Sequence, residues 1–359
     1  ADVSHYVTFN SALDREARRR GNSVYFPDRV VPMLPEALSN NLCSLRPDED
    51  RPVLAVTMRL DAKGRRLEHK FHRAMIRSAA RVIYEDLQAA HDGEPNEQTG
   101  PILDTVIEPL YGAWGALMRA RESRQPLDLD LPEMKISVGE DGHVEDVRQR
   151  QRLDAHRVIE EFMIEANVAA AETLEAQKMP CVYRVHDQPD REKLLGLKDF
   201  LSSLGLSFAM GERLRPELFN RILAKAKGSD HWEAVNQSIL RSQSQARYDP
   251  DNIGHFGLSR PRYAHFTSPI RRYSDLLVHR ALIRGGGFGK DGLHDEEAAH
   301  LAETAEHISN TERRAMVAER DANDRYMAAF MAEQTGAEFI ARINGVTRAG
   351  LFLTLVDTG

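Results

Sequence analysis

YAHFTSPIRRYSDLLVHRAL, residues 263–282, is the stretch on which the reading of the whole chain turns. Ser268 followed by Pro269 is a helix-start signal: a side-chain cap, then a residue with no amide hydrogen to leave unpaired. Apolar residues recur at Ile270, Tyr273, Leu277 and Ala281, which predicts a helix with one buried face. That start puts Arg271 and Arg272 in the first turn. Cations there oppose the helix dipole, which favours negative charge at that end. An anion arriving at the turn would reverse the penalty, with free amides and guanidinium forks acting on it together. The alternative is that both arginines pair with carboxylates elsewhere in the fold. Thr267, Ser268 and Pro269, with the local arginine excess, favour phosphate.

That excess is marked. Six arginines (260, 262, 271, 272, 280, 284) lie between Ser259 and Arg284 against one acid, Asp275, in a chain whose net charge is −7. A basic segment in an acidic chain points to a focused anion site rather than a diffuse basic coat. His265 is a candidate ligand or acid in the same segment, although a lone histidine is more often a hydrogen-bonded core residue. His279 is as readily structural.

The 359 residues suffice for one large domain or two ordinary ones, and 42% apolar content supports a sizeable core. No apolar run reaches membrane-spanning length, and no signal peptide is read at the front. Cys43 and Cys181 cannot form a disulfide framework, so a reducing, cytoplasmic setting is expected. The chain opens without Met on ADVSHYV, taken as a strand under way, and ends on two strand-like stretches, Phe339–Ile343 and Leu351–Val356. Both ends are expected to be cuts through a longer protein.

Between them, 11–20 suit a short helix capped by Ser11. Residues 52–76 form a hairpin about an Asp-Ala-Lys-Gly turn. The segments 102–123 and 150–178 carry helical periodicity, with strands between them around Glu140-Asp141-Gly142. A long helix is expected over roughly 296–334. GGGFGK, 285–290, is followed by Asp291 rather than Ser or Thr and is a connector, not a phosphate loop.

Some carboxylates fall in costly places. Val158, Ile159, Phe162, Met163, Ile164, Val168 and Ala169 cover most of a helix around Glu160 and Glu161, so that helix is expected to be buried nearly all round. Glu312 and Glu319 fall on the inward stripe of the long helix. Either they make internal salt bridges, to Arg272 or Arg280, or they line a polar cavity and accept hydrogen bonds from hydroxyls such as those of a ribose. Tyr25 and Tyr84, at element ends, are core trim or, if they face a cleft, stacking platforms for bases.

Together, ADVSHYV, SVYFPDRVVPMLPEALSNNLCSL, DAHRVIEEFMI, GHFGLSRPRYAHFTSPIRRYSDLLVHRAL and AERDANDRY resemble the ribonuclease II/R exoribonucleases, on the ribonuclease R side. The blocks span nearly the whole chain in the family's order. The resemblance implies an α+β fold: an RNB-type catalytic domain over 1–335, with a mixed sheet packed by long helices around an RNA channel. Residues 336–359 would begin an S1 domain, an incomplete OB-fold hairpin.

The implied function is 3′-to-5′ hydrolysis of single-stranded RNA to nucleoside 5′-monophosphates, by a monomer without membrane attachment. Arg271 matches the catalytic arginine, and Tyr84 and Glu161 match the pair that reads the ribose near the cleavage point. Tyr25 matches an aromatic that clamps the terminal bases, and Glu319 a holder of the last nucleotide. Arg272, Thr267, Ser268 and His265 join the RNA-binding set. The second half of the clamp, aromatic in the family, falls around Leu129. The family's Mg²⁺ ligands, a cluster of aspartates, would lie upstream of Ala1. No catalytic metal and little hydrolysis are therefore expected of this stretch alone, with Mg²⁺ bound in the full-length protein. A catalytically silent RNA-binding module is the alternative. An acid/base enzyme acting on a small phosphorylated metabolite through Arg271 is a third.

Overall fold

A computed structural model describes residues 1–209, 211, 213–347 and 350–355. In chain order its elements are α1 (Ala12–Arg20), β1 (Val24–Tyr25), β2 (Val30–Val31), β3 (Asp50–Leu60), β4 (Arg66–Arg77), α2 (Tyr84–His91), α3 (Glu108–Arg124), β5 (Met134–Val138), β6 (Val144–Gln149) and α4 (Asp154–Ala176). There follow β7 (Tyr183–Val185), α5 (Arg191–Ser203), α6 (Pro216–Ala226), α7 (Trp232–Ser242), β8 (Arg247–Asp249), α8 (Tyr273–Gly286), α9 (Asp295–Ala299), α10 (Leu301–Ala332), β9 (Ala341–Thr347) and β10 (Gly350–Leu355). The fold is α+β, as the sequence implied.

The expected mixed sheet is not what forms. The described strands pair as separate two-stranded antiparallel ribbons, β1–β2, β3–β4, β5–β6, β7–β8 and β9–β10. Helices cover them instead of further strands: β1, β6 and β8 lie on α10, and β4 lies on α8.

Helix α8 is the centre of the main core. Every residue from Tyr273 to Ile283 is buried, not one face only. Leu276, Leu277, Leu282 and Ile283 pack there with Ala169–Ala171 and Leu174 of α4, Val185 of β7 and Ile308 of α10. Each such aliphatic side chain contributes about 1.5–3 kcal/mol by leaving water. A second core joins α5, α6 and α7 through Leu197, Leu201, Phe219 and Ile239. A third joins α2, α3 and the first turns of α4 through Leu87, Tyr111, Ala155 and Val158.

Helix α4 departs from its expected burial in the opposite sense. It is enclosed all round only from Ile164 to Ala171; nearer its start, Glu160, Phe162 and Met163 are half-buried. The expected strand at the chain's start is a short turn over Val3–His5. Asp2 causes it, because its carboxylate accepts from Ser4 Oγ at 2.6 Å and His5 N at 3.2 Å, which winds the backbone. The terminal hairpin forms, and Gly345, Val346 and Thr347 pair as strand with Phe352, Leu351 and Gly350. Val356 lies outside the described residues.

Candidate nucleic-acid interface

The segment carrying the arginine pair does not start a helix where Ser268-Pro269 predicts. Residues 269–271 form a turn, and α8 begins at Tyr273 with Arg272 as its extended N-cap residue. The Arg271 and Arg272 amides both donate to the Ser268 carbonyl at 3.1 Å. A tertiary contact overrides the local signal. Gly21 closes α1 at φ +74°, and a Cβ there would collide with Thr311 Oγ1. Its carbonyl accepts from Tyr273 N at 2.9 Å, Asn22 bridges Arg272, and Ser23 N donates to the Arg271 carbonyl at 3.0 Å. Residues 21–23 thus hold 271–273 extended.

The expected pair of cations in the first turn of α8 is therefore corrected. That turn holds an anion, Asp275, which suits the dipole. Asp275 is 0% exposed. Its Oδ1 accepts from Ser268 N at 2.7 Å and Arg272 Nη2 at 2.8 Å; its Oδ2 accepts from Arg272 Nε at 2.8 Å and Ser274 Oγ at 3.0 Å. The carboxylate raises the Arg272 guanidinium further above its ordinary range, although burial opposes this. Ser268 serves through its backbone rather than as a side-chain cap, and Thr267 beside it is half-buried.

The two arginines thus differ. Of the six arginines in the basic segment, five meet carboxylates: Arg260 with Glu165, Arg262 with Glu175, Arg272 with Asp275, Arg280 with Asp14 and Glu297, and Arg284 with Asp295. Arg271 is exposed, and among the described residues its guanidinium has no hydrogen-bond or ion-pair partner. It is a free fork in a rigid turn.

Around it the fold gathers part of the expected set. Ser23, held by the Arg271 carbonyl, leads into β1. There Tyr25, 47% exposed, donates its amide to Glu319 Oε1 of α10 at 2.7 Å. Glu319 is half-buried, as is Glu312, whose partner is Arg184 at 2.6 Å rather than Arg272 or Arg280. His265 lies beneath, with Nδ1 2.9 Å from Tyr248 Oη. Burial, then the charge of Arg272, pushes its imidazole well below the ordinary value and keeps it neutral. His279 is a core residue whose Nε2 donates to the Phe266 carbonyl at 2.8 Å.

A second group forms where α2, α3 and α4 meet. Tyr84 opens α2, is 38% exposed, and stacks on His156 with centroids 4.1 Å apart and planes at 20°. His156, Leu129, Arg152 and Glu160 line a mostly polar cavity of ≈790 Å³. A cavity of ≈60 Å³ adjoins it, sharing Arg152 and Glu160, and is lined also by Glu161. Glu161 is 2% exposed and accepts from Arg121 Nη1 at 2.6 Å. Tyr84, Leu129 and Glu161 are thus brought together, as are Tyr25, Arg271 and Glu319. The segment 255–272 links the two groups, with Arg260 at Glu165 and Arg271 beside β1.

Sequence reasoning missed Arg121 and Arg124, and counted Arg260 only as part of the basic segment. Arg121 and Arg124 are three apart on α3, and Glu161 and Glu165 are four apart on α4, so each pair shares a helix face. That matching was the available signal. Burial beside Arg124 and Arg66 pushes Arg260 down to about 9. Among the described residues, no group of three or more His, Cys, Asp or Glu side chains is placed to hold a metal ion, and no helix is long and apolar enough to cross a membrane.

Comparison with known proteins follows this geometry. The family described as RNB domain matches residues 1–285. The chain is 40% identical to Ribonuclease R of Escherichia coli (strain K12), over 99% of this chain and 45% of that protein. It is 41% identical to Ribonuclease R 1 of Lactococcus lactis subsp. lactis (strain IL1403), over 100% of this chain and 44% of that one. The chain therefore spans about half the length of the curated relatives it matches. Its fold superposes on Mycoplasma genitalium RNase R, solved in complex with ribose-methylated single-stranded RNA, with a TM-score of 0.94. That match has 30% identity and covers 100% of this chain and 56% of that one.

Proposed function

This chain belongs to the RNB-domain family, and from that premise we propose that it forms the catalytic region of a 3′-to-5′ exoribonuclease acting on single-stranded RNA. The products are nucleoside 5′-monophosphates. The observation that carries the reading is the Arg271 guanidinium, without a partner among the described residues, in a basic segment whose other five arginines are paired.

Arg271 is the group that meets the scissile phosphate. A fixed guanidinium is worth most where charge builds up in the transition state, and the turn that holds it spares reorganisation. Tyr84 offers a ring face to a base near the cleavage point, and Glu161 accepts from the ribose there. Tyr25 and Glu319, already joined by a hydrogen bond, hold the terminal nucleotide. Leu129, half-buried against the α5–α7 core, takes the place of an aromatic clamp with an apolar wall. Arg272, Ser268 and Thr267 shape the phosphate turn. His265, kept neutral, supports it from below and does not deliver a proton. The cavity beside Tyr84 and Glu161 forms part of the RNA channel.

Among the described residues no group of acids is placed to hold Mg²⁺, and no step here passes through a metal. Mg²⁺ to activate water, and the activity itself, are proposed for the full-length protein. Residues 1–335 are assigned to the RNB domain and 336–359 to the start of an S1 domain. The two buried free thiols support a reducing, cytoplasmic setting.

The test uses the complete gene product with single-stranded RNA, labelled at the 5′ end and alternatively blocked at the 3′ end. Stepwise release of 5′-monophosphates from free 3′ ends, abolished by the block, is expected. Binding without release, or release from blocked ends, would overturn the reading.

A further inference from the structure

Helices α3 and α4 lie against each other with four charged groups facing across the contact. Arg121 forks: Nη1 donates to Glu161 Oε1 at 2.6 Å and Nη2 to Asp128 Oδ1 at 3.0 Å. Arg124 stands one turn along, its Nη2 3.5 Å from Glu161 Oε2. That approach makes no hydrogen bond. Among the described residues, Arg124 Nη2 and Glu161 Oε2 are both buried without a hydrogen-bond partner. On the far side, Arg66 and Arg260 pair with Glu165.

The two oxygens of Glu161 therefore have different fates. One is saturated by a fork whose other prong is fixed. The other has only the 3.5 Å charge contact with Arg124 and no hydrogen bond, and burying an acceptor without one costs about 1–3 kcal/mol. An acceptor left in this state can take a donor from a ligand. Glu161 borders the ≈60 Å³ cavity, which opens beside the larger one through Arg152 and Glu160. That volume accommodates a hydroxyl group. Asp128, the second anchor of the fork, also lines the small cavity and is followed directly by Leu129 and Asp130, which line the larger one.

We propose that Arg121 is a positioning residue for sugar recognition: by holding Oε1 it leaves Oε2 as the acceptor for a ribose 2′-hydroxyl, and its bond to Asp128 sets that acceptor in register with the cavity wall. The proposal rests on the reading of Glu161 as the sugar-contacting group. A simple counter-ion would do less. Lysine supplies the same charge but not the rigid planar fork, so it can neutralise Glu161 without fixing its orientation.

The experiment compares kcat/KM, in the complete gene product, for an all-ribose oligonucleotide and for the same oligonucleotide carrying one 2′-deoxyribose beside the scissile bond. Arg121→Met should shrink the ribose/deoxyribose ratio about tenfold to a hundredfold, the scale of one lost hydrogen bond to the hydroxyl. The loss should fall on the all-ribose substrate. Arg121→Lys should restore thermal stability but not the ratio. Asp128→Asn, at an exposed position, should shrink it partly and carries the test if Arg121→Met does not fold. An unchanged ratio in Arg121→Lys, or equal losses on both substrates, would overturn the proposal. Glu161→Ala separates the two claims: if it collapses the ratio while the Arg121 variants do not, the positioning role fails alone. If Glu161→Ala leaves the ratio intact, the reading of Glu161 itself has failed.

Discussion

Arg272 grips Asp275 through Nε and Nη2, both at 2.8 Å, at the mouth of the most buried helix in the fold. The same carboxylate also takes the Ser268 amide and the Ser274 hydroxyl. One buried acid therefore pins the whole turn from Ser268 to Arg272, and the guanidinium beside it, on Arg271, is left free. The two adjacent arginines divide into a structural residue and an available one.

Removing Asp275 should show this division as stability. Breaking a buried pair leaves an uncompensated charge, at a cost of about 3–5 kcal/mol. Asp275→Ala should lose that much in urea unfolding and Arg272→Ala a comparable amount, while Arg271→Ala should stay within about 0.5 kcal/mol of wild type. A loss below about 1 kcal/mol for Asp275→Ala would mean that the turn is held by its backbone bonds to residues 21–23 alone.

Tyr84 stacks on His156 and is 38% exposed. If its ring receives a base, Tyr84→Ala should weaken single-stranded RNA binding by about 1–3 kcal/mol, while Tyr84→Phe stays near wild type. Fluorescence titration with a short oligoribonucleotide reads this directly. Equal affinity for both variants would confine Tyr84 to packing against α4.

Acid should destabilise the fold through its buried histidines. His279 is 2% exposed, and burial pushes it down to about 4. Below the ordinary value near 6.5 the unfolded chain takes up a proton that the native state refuses. Stability therefore falls as pH drops from about 6.5 towards 4 and levels off below, with a loss at pH 5 of about 2 kcal/mol from this residue. His255, pushed down to about 3, acts in the same direction. Urea unfolding of wild type and His279→Gln at pH 7.5 and pH 5 should show a smaller acid loss in the variant; parallel losses would acquit His279.

Much of this was legible in the sequence because its signals were local. The hairpin β3–β4 follows from Asp61-Ala62-Lys63-Gly64, and α1 from Ser11, whose hydroxyl accepts from Asp14 N. The start of α8 was misread because Ser268-Pro269 is a local signal too, and backbone pairing with residues some 250 positions earlier overrode it. The burial of Glu161 was legible from the apolar surroundings of α4. Its partner was not, since Arg121 lies 40 residues away on another helix. The free state of Arg271 was legible only in part. Sequence shows six arginines facing one local acid; it does not show which five find Glu165, Glu175, Asp275, Asp14 with Glu297, and Asp295.

The most direct measurement is single-turnover hydrolysis of a 3′-labelled single-stranded RNA by the complete gene product, wild type against Arg271→Ala, with binding measured alongside. Loss of a fixed donor to the developing charge should slow the chemical step by about 10²–10³-fold or more, with RNA affinity changed less than about tenfold. Near wild-type hydrolysis, or a defect wholly explained by lost binding, would contradict the assignment of Arg271 to the scissile phosphate.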